Sequence, residues 1–378
     1  MSNALRVVCA AIVIASGLSI TAHAKELSRA EAARIARLNS GLVSIVTDSV
    51  DSQSMRYAAD LAAVLDGEDG LRILPIAGHG PVETVSDILY IKGVDAGIVP
   101  SDVFAYMDAH GILDGVDDKL TYVAKLGGAE LHIIARREIA SLADLKGKRV
   151  NAGNITEPRF ITASLILSKL GIEVTTVGGN EQKAVSQLKE GKVDAIVIVA
   201  KQPSAVAEEL GRDDRFRLLA VPMNAELEKI YAPAMLSSES YGKLGTGVET
   251  LSVSSVFAVF NWKKGSDRYA KLRKFAGALY SRIGDLQAGE RYAQWSDVNL
   301  ASDVTGWERS AVAEEWLAQK KKEPAPPPSA EEVSAVRDQM RAFYAPLDRS
   351  VGGQKIAEDN SPATRYRKWK ESQLQKAP

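Results

Sequence analysis

Four clusters of short polar side chains stand directly after apolar, strand-like runs. Thr47-Asp48-Ser49-Val50-Asp51-Ser52-Gln53-Ser54 follows LVSIV at 42–46, and Gly78-His79-Gly80 follows LRILPI at 71–76. Pro100-Ser101-Asp102 follows DAGIV at 95–99, and Asn154-Ile155-Thr156-Glu157-Pro158-Arg159 follows KRVNAG at 148–153. Where a strand feeds a helix, the first helical N–H groups lack partners and the positive end of the helix dipole points outward, which suits carboxylates and other anions. The expected ligand-binding residues are therefore Asp48, Ser49, Ser52, Gln53, His79, Gly80, Ser101, Asp102, Asn154, Thr156 and Arg159, joined by Gln202 after the buried run DAIVIVA at 194–200. Ser, Thr, Asp and Asn are also the favoured helix N-caps, so each junction has a capping role open to it. A binding role depends on several junctions facing one cleft. Arg159 falls in the first turn of a helix, against the usual preference for acids there. Its fork could grip a carboxylate, or it could pair with Glu157. Asp48 and Asp102 could read an ammonium group or serve as caps.

No comparable pattern supports bond-making chemistry. His23 sits near the N-terminus, which leaves His79, His110 and His132, none at metal-ligand spacing. His110 is expected at a helix end and His132 in an apolar strand. The sequence holds no H-E-x-x-H, G-x-S-x-G, P-loop or G-x-G-x-x-G. No catalytic residue, metal or cofactor is expected, and the protein reads as a non-enzyme. The formal charge is −1, from 47 Lys and Arg against 48 Asp and Glu, with no concentrated basic face for a nucleic acid.

The elements that must position these clusters alternate strand and helix. Helical spacing follows at 54–65, at Val82, Val85 and Leu89, and at about 102–110. TYVAKLGGAELHIIARR (121–137) breaks the alternation with two apolar runs around Gly127-Gly128, as a crossing between lobes would. The alternation restarts with a helix at 159–170, EVTTV at 173–177, a helix at 181–189, DAIVIVA, and RFRLLAV at 215–221. ETLSVSSVFAVFNW (249–262) reads as a strand returning to the first lobe, and 267–283 as an amphipathic helix. The pattern predicts an α/β protein with two doubly wound sheets side by side and a cleft between them. The bounds are 25–125 for the first lobe, 126–225 for the second and 226–318 for the return.

The termini carry separate expectations. Val7 to Ile20 is uncharged and apolar after Arg6, and Ala22-His23-Ala24 has the A-x-A form, so 1–24 reads as a cleaved signal peptide and the protein as periplasmic. Cys9, the only cysteine, lies inside that run. Residues 319–328 form a Pro-rich linker, and 329–378 a C-terminal helix and polar tail.

The same junctions resemble the TAXI family, the extracytoplasmic solute receptors of one class of tripartite, TRAP-type transporters. The resemblance runs over roughly 42–315. It is firmest in LRILPIAGHGPVETVSDILYIKGVDAGIVPSDVFAYM (71–107), with its D-x-G-I-V-x-S-D motif. It continues in DLKGKRVNAG (144–153) with Thr162-Ala163, in VDAIVIVAKQPSAVAEEL (193–210), in YGKLGTGVETLSVSSVFAVF (241–260) and in DVNLASDVTGWERSAVAEEWL (297–317). It implies the periplasmic-binding-protein-like fold (type II). It also implies closure on an organic acid or amino acid, and delivery to TRAP-type membrane subunits. Two stretches depart from the pattern. DSVDSQSM stands where many members carry Gly-Tyr-Tyr-Pro and Gly-Gly, and Thr156-Glu157-Pro158-Arg159 stands where they tend to carry Gly-Ser-Gly-Thr. A ligand-sensing module for a membrane sensor kinase, and a periplasmic enzyme on the same fold, are the alternative functions.

Overall fold

The computed structural model describes residues 28–237, 239–288, 291 and 293–322. The chain divides into two compact units, 1–320 and 321–378, and the fold below is that of the first. The expected signal peptide lies outside the described residues, as do the tail and most of the Pro-rich linker.

After a lead-in helix, α1 (Arg29–Asn39), the expected alternation begins: β1 (Leu42–Thr47), α2 (Gln53–Leu65), β2 (Arg72–Ala77), α3 (Pro81–Tyr90), β3 (Ala96–Pro100) and α4 (Val103–Ala109). β1 is apolar and buried along nearly its whole length, as a parallel strand covered on both faces must be. α2 starts where Ser52 accepts from the Met55 N–H at 3.1 Å. It buries Tyr57, Ala58, Leu61, Val64 and Leu65, a helical stripe that packs on the sheet. The chain then runs through one long strand, β4 (Leu120–Arg136), into β5 (Arg149–Asn151), α5 (Pro158–Lys169), β6 (Thr175–Val177), α6 (Glu181–Lys189), β7 (Ala195–Ala200), α7 (Ala205–Leu210), β8 (Phe216–Leu218) and β9 (Ala232–Leu236). It returns along a second long strand, β10 (Val248–Phe260), to α8 (Asp267–Ser281), α9 (Ile283–Gln287) and α10 (Ala311–Lys322).

The strand order is β2-β1-β3-β10-β4-β7-β5-β6, with β8 on β4 and β9 on β10. Two separate sheets were expected, and the hydrogen-bond ladder is instead continuous. The reason is the length of the shared pair. At about 3.3 Å per residue, the 17 residues of β4 reach roughly 55 Å, too far for one lobe. One end of the β4–β10 pair joins β3, β1 and β2, and the other joins β7, β5 and β6. Two wound α/β halves therefore hang on one antiparallel pair. The middle of that pair is pinned: the Gly127 N–H donates to Tyr57 Oη at 2.9 Å, and a Cβ at Gly127 would stand 2.4 Å from that oxygen.

Each half has its own core. Ile45, Leu61, Ile98, Phe257 and Phe275 lie in the first half, and Leu131, Ile133, Val150, Leu165 and Val197 in the second. Among the described residues, no helix is long and apolar enough to cross a membrane.

Candidate functional site

The topology aims the strand ends of both halves at the middle of the long pair. β3 runs antiparallel to β10 and ends with Pro100 opposite Ser255. β7 runs antiparallel to β4 and ends with Ala200 opposite Glu130. Between them lie Gly128 opposite Ser254 and Glu130 opposite Ser252. The junctions after β1, β2 and β3 thus face those after β5 and β7 across a seam.

On one side the seam is sealed. Asp102, with no exposed surface, accepts a hydrogen bond from Thr162 Oγ1 at 2.7 Å and another from Tyr231 Oη at 2.8 Å. Both donors belong to the second half. Ile161 of α5 is buried in the cluster of Val103, Tyr106 and Met107 from the first half, so apolar packing reinforces the latch. At the rim, a Cβ on Gly80 would stand 2.5 Å from the Thr156 carbonyl oxygen, and Gly80 has φ +115°. Only glycine allows both that backbone conformation and that approach.

On the other side the seam is open. A polar cavity of about 200 Å³ is lined by Lys125, Leu126 and Gly128 of β4, by Ser252 and Ser254 of β10, and by Asp297, Asn299 and Ser302. Its rim carries an ion pair between Lys201, just past β7, and Asp297 of the return segment, with 34% and 44% of their side chains exposed.

Residues 54–269 match the profile of the NMT1-like family. The chain belongs to the NMT1-like family. Solved structures similar to this NMT1-like protein include XAC2383 from Xanthomonas citri bound to chloride ion, 14% identical with a TM-score of 0.44, covering 79% of this chain and 99% of that one. The alkanesulfonate-binding protein SsuA from Xanthomonas axonopodis pv. citri, bound to MOPS, is 21% identical with a TM-score of 0.34, covering 81% and 93%. A histidine kinase sensor domain with similarity to periplasmic binding proteins is 14% identical with a TM-score of 0.39, covering 65% and 92%. The fold of the NMT1-like chain is α/β, built on one mixed sheet.

Of the sequence-predicted residues of this NMT1-like chain, Gly80, Thr156, Ser101, Asp102 and Gln202 meet the opposite half or the shared strand pair, and many of the twelve are occupied by neighbours. Ser52 caps α2, and its Oγ donates to the Ser49 carbonyl at 2.6 Å. Ser49 is exposed, and Gln53 opens α2 half-buried. His79 points to solvent, 78% exposed and 4.0 Å from Glu83. The Ser101 hydroxyl accepts from the Ser254 N–H at 3.3 Å, and the Ser101 carbonyl accepts from Trp307 Nε1 at 2.8 Å. Asn154 donates to Glu157 at 2.6 Å, and Thr156 is exposed beside Gly80. Gln202 donates to the Met235 carbonyl at 2.9 Å and accepts from the Ser237 N–H at 3.0 Å. Arg159 is only 4% exposed, and its guanidinium faces inward. It donates to Glu157 at 2.7 Å, to the Val197 carbonyl at 3.1 Å, to Asn151 at 3.5 Å and to the Gly179 carbonyl. The ion-pair alternative for this residue is the geometry found, and the fork fastens the β5 and β7 ends to the loop before α6.

Two carboxyls retain unused capacity. Asp48 accepts from Ser54 Oγ at 2.7 Å, while its Oδ1 is buried without a partner among the described residues. Asp102 Oδ1 is in the same condition. Burial raises the Asp48 carboxyl to about 7, against the lowering pull of Ser54. Burial likewise raises Asp102 to about 6, against Thr162 and Tyr231. His110 and His132 are internal links. His110 Nδ1 meets the Tyr106 carbonyl at 2.8 Å, and His132 lies between the Glu130 carbonyl and Tyr241 Oη at 2.9 and 2.7 Å. Burial lowers His132 to about 4, so its ring is neutral.

The residues of the open cavity were not among the sequence-predicted set. Their only sequence signal was the polar alternation of Ser252 and Ser254 inside an apolar strand, together with the small pair Gly127-Gly128.

Proposed function

We propose that this protein is a periplasmic solute receptor, not an enzyme, that captures a small organic acid or amino acid between its lobes and delivers it to a membrane transporter of the TRAP type. The observation that carries the reading is the meeting of both sets of strand ends over the β4–β10 pair, sealed on one side and open to a polar cavity on the other. Open α/β sheets bind ligands beyond their strand C-termini, and here two such edges face each other. Membership of the NMT1-like family supports a receptor role. The N-terminal leader pattern supports export, and the likeness to TAXI sequences supports the transporter as the partner.

The test is a thermal-shift screen of the purified protein against carboxylates and amino acids. A ligand that binds the folded form alone stabilises it by mass action, by about 2.7 kcal/mol at a hundredfold excess over Kd, and so raises the unfolding midpoint. At least one compound of the two classes is expected to raise it and to be recovered unaltered. A flat screen, or a converted compound, removes the receptor assignment.

A further inference from the structure

The open cavity holds a set of polar groups that the protein itself leaves unused. Lys125, half-buried in the cavity wall, has no hydrogen bond or ion pair among the described residues. The acids around it are engaged elsewhere: Asp297 pairs with Lys201, and Asp303 pairs with Arg309 at 2.8 Å. The hydroxyls of Ser252, Ser254 and Ser302 also make no hydrogen bond to the protein among the described residues. Ser252 and Ser254 stand two apart on β10, so both rise from one face of the strand. Beneath them lies Gly128, where a Cβ would come within 2.9 Å of Ser252 Oγ. The bare backbone there keeps the floor low and the hydroxyls reachable from the cavity.

We propose, on the strength of the receptor reading above, that this hinge cavity is the solute seat and that it takes a small monocarboxylate bearing a hydroxyl group. Charge and size both select that class. Lys125, a cation of the lining without an ion pair among the described residues, supplies one free positive charge beside the Lys201–Asp297 pair, which matches a single carboxylate. A volume of about 200 Å³ equals the space of roughly six or seven waters, too little for a nucleotide or a peptide. The ammonium of Lys125 and the serine hydroxyls donate to the carboxylate, and Asn299 and Asp297 accept from the ligand hydroxyl. A ligand seated on β4, β10 and the 297–302 segment touches both halves of the chain at the strands they share.

The test is calorimetric titration of the full protein with lactate, glycerate and 2-hydroxybutyrate, each beside its primary amide, which keeps the shape and removes the charge. At least one acid is expected to bind, with its amide at least tenfold weaker. Lys125→Gln is expected to weaken the acid at least tenfold without moving the unfolding midpoint of the free protein, and Lys125→Arg to keep part of the affinity. If Lys125→Gln does not fold, the acid–amide comparison on the unmodified protein decides. Equal binding of acid and amide overturns the inference, as does undiminished binding by folded Lys125→Gln or silence from all three acids. A broader screen that still finds a bound solute would then leave the receptor intact with its seat elsewhere, whereas a wholly flat screen removes the receptor as well.

Discussion

The two sides of the lobe seam are held by different kinds of force. The sealed side closes with a carboxylate of no exposed surface, two hydroxyl donors at 2.7 and 2.8 Å, and Ile161 sunk among the side chains of the opposite half. The open side closes with one half-exposed ion pair over a polar cavity. A hydrogen bond to a charged group contributes about 1.5–3 kcal/mol, and an exposed ion pair about 0–1 kcal/mol. Parting the Lys201–Asp297 contact is therefore cheaper than parting the Asp102 latch, while β4 and β10 run unbroken through both halves.

The largest expected effect tests whether Arg159 belongs to the fabric of the second half. Arg159→Ala should destabilise the protein by about 3–5 kcal/mol, because it strands Glu157 and two carbonyls that now share one buried guanidinium. Urea unfolding monitored by circular dichroism measures it. A loss under about 1 kcal/mol would release the fork from that structural duty.

Next comes the latch. Asp102→Ala removes the shared acceptor and leaves Tyr231 Oη buried without one. The expected cost is about 2 kcal/mol, softened because Thr162 has the Pro158 carbonyl at 3.4 Å as a second acceptor. Asp102→Asn keeps an acceptor and should cost about half as much. An unaltered unfolding midpoint in the alanine variant would make the two sides of the seam equivalent.

The buried acids add a pH dependence whose sign is fixed by their direction. Asp48 and Asp102 hold protons up to about 7 and about 6 in the folded protein, above the ordinary 3.8. The folded state therefore binds more protons than the unfolded chain between about 4 and 7. Their contribution to stability is complete below pH 4 and is lost as the pH rises through 6 and 7. Relative to the double variant Asp48→Asn/Asp102→Asn, the unmodified protein should lose stability between pH 5 and pH 8. Parallel curves for the two proteins would show that neither carboxyl titrates there.

The wound halves were legible in the sequence because local periodicity and burial agree. Helices expected at 54–65, 159–170 and 181–189 lie at 53–65, 158–169 and 181–189. The continuous sheet was harder to read. Gly127-Gly128 looks like a break, yet β4 runs straight through it, since those glycines make room for Tyr57 and the serine hydroxyls rather than for a turn. The strand-end junctions were found because caps and binding loops share a composition, and that shared composition hid which groups are already satisfied. Arg159 shows the difficulty: its partners Val197 and Gly179 are 38 and 20 residues away. Lys125 sits inside an apolar strand, and only the packing of 297–302 beside it makes a cavity there.

The smallest expected effect is the most direct probe of the open side. Asp297→Asn removes an ion pair whose members are 34% and 44% exposed, so water and salt already screen it. The stability change should stay below about 1 kcal/mol and vanish in 1 M NaCl, where the screening length falls to about 3 Å. The substitution also leaves Lys201 without its partner at the cavity rim, so an anionic solute should associate faster at low salt while the fold is undisturbed. Stopped-flow association with the best-binding acid separates those two consequences. A loss of several kcal/mol would mean that the ion pair bears as much of the closure as the buried latch does, and the contrast between the two sides of the seam would fail.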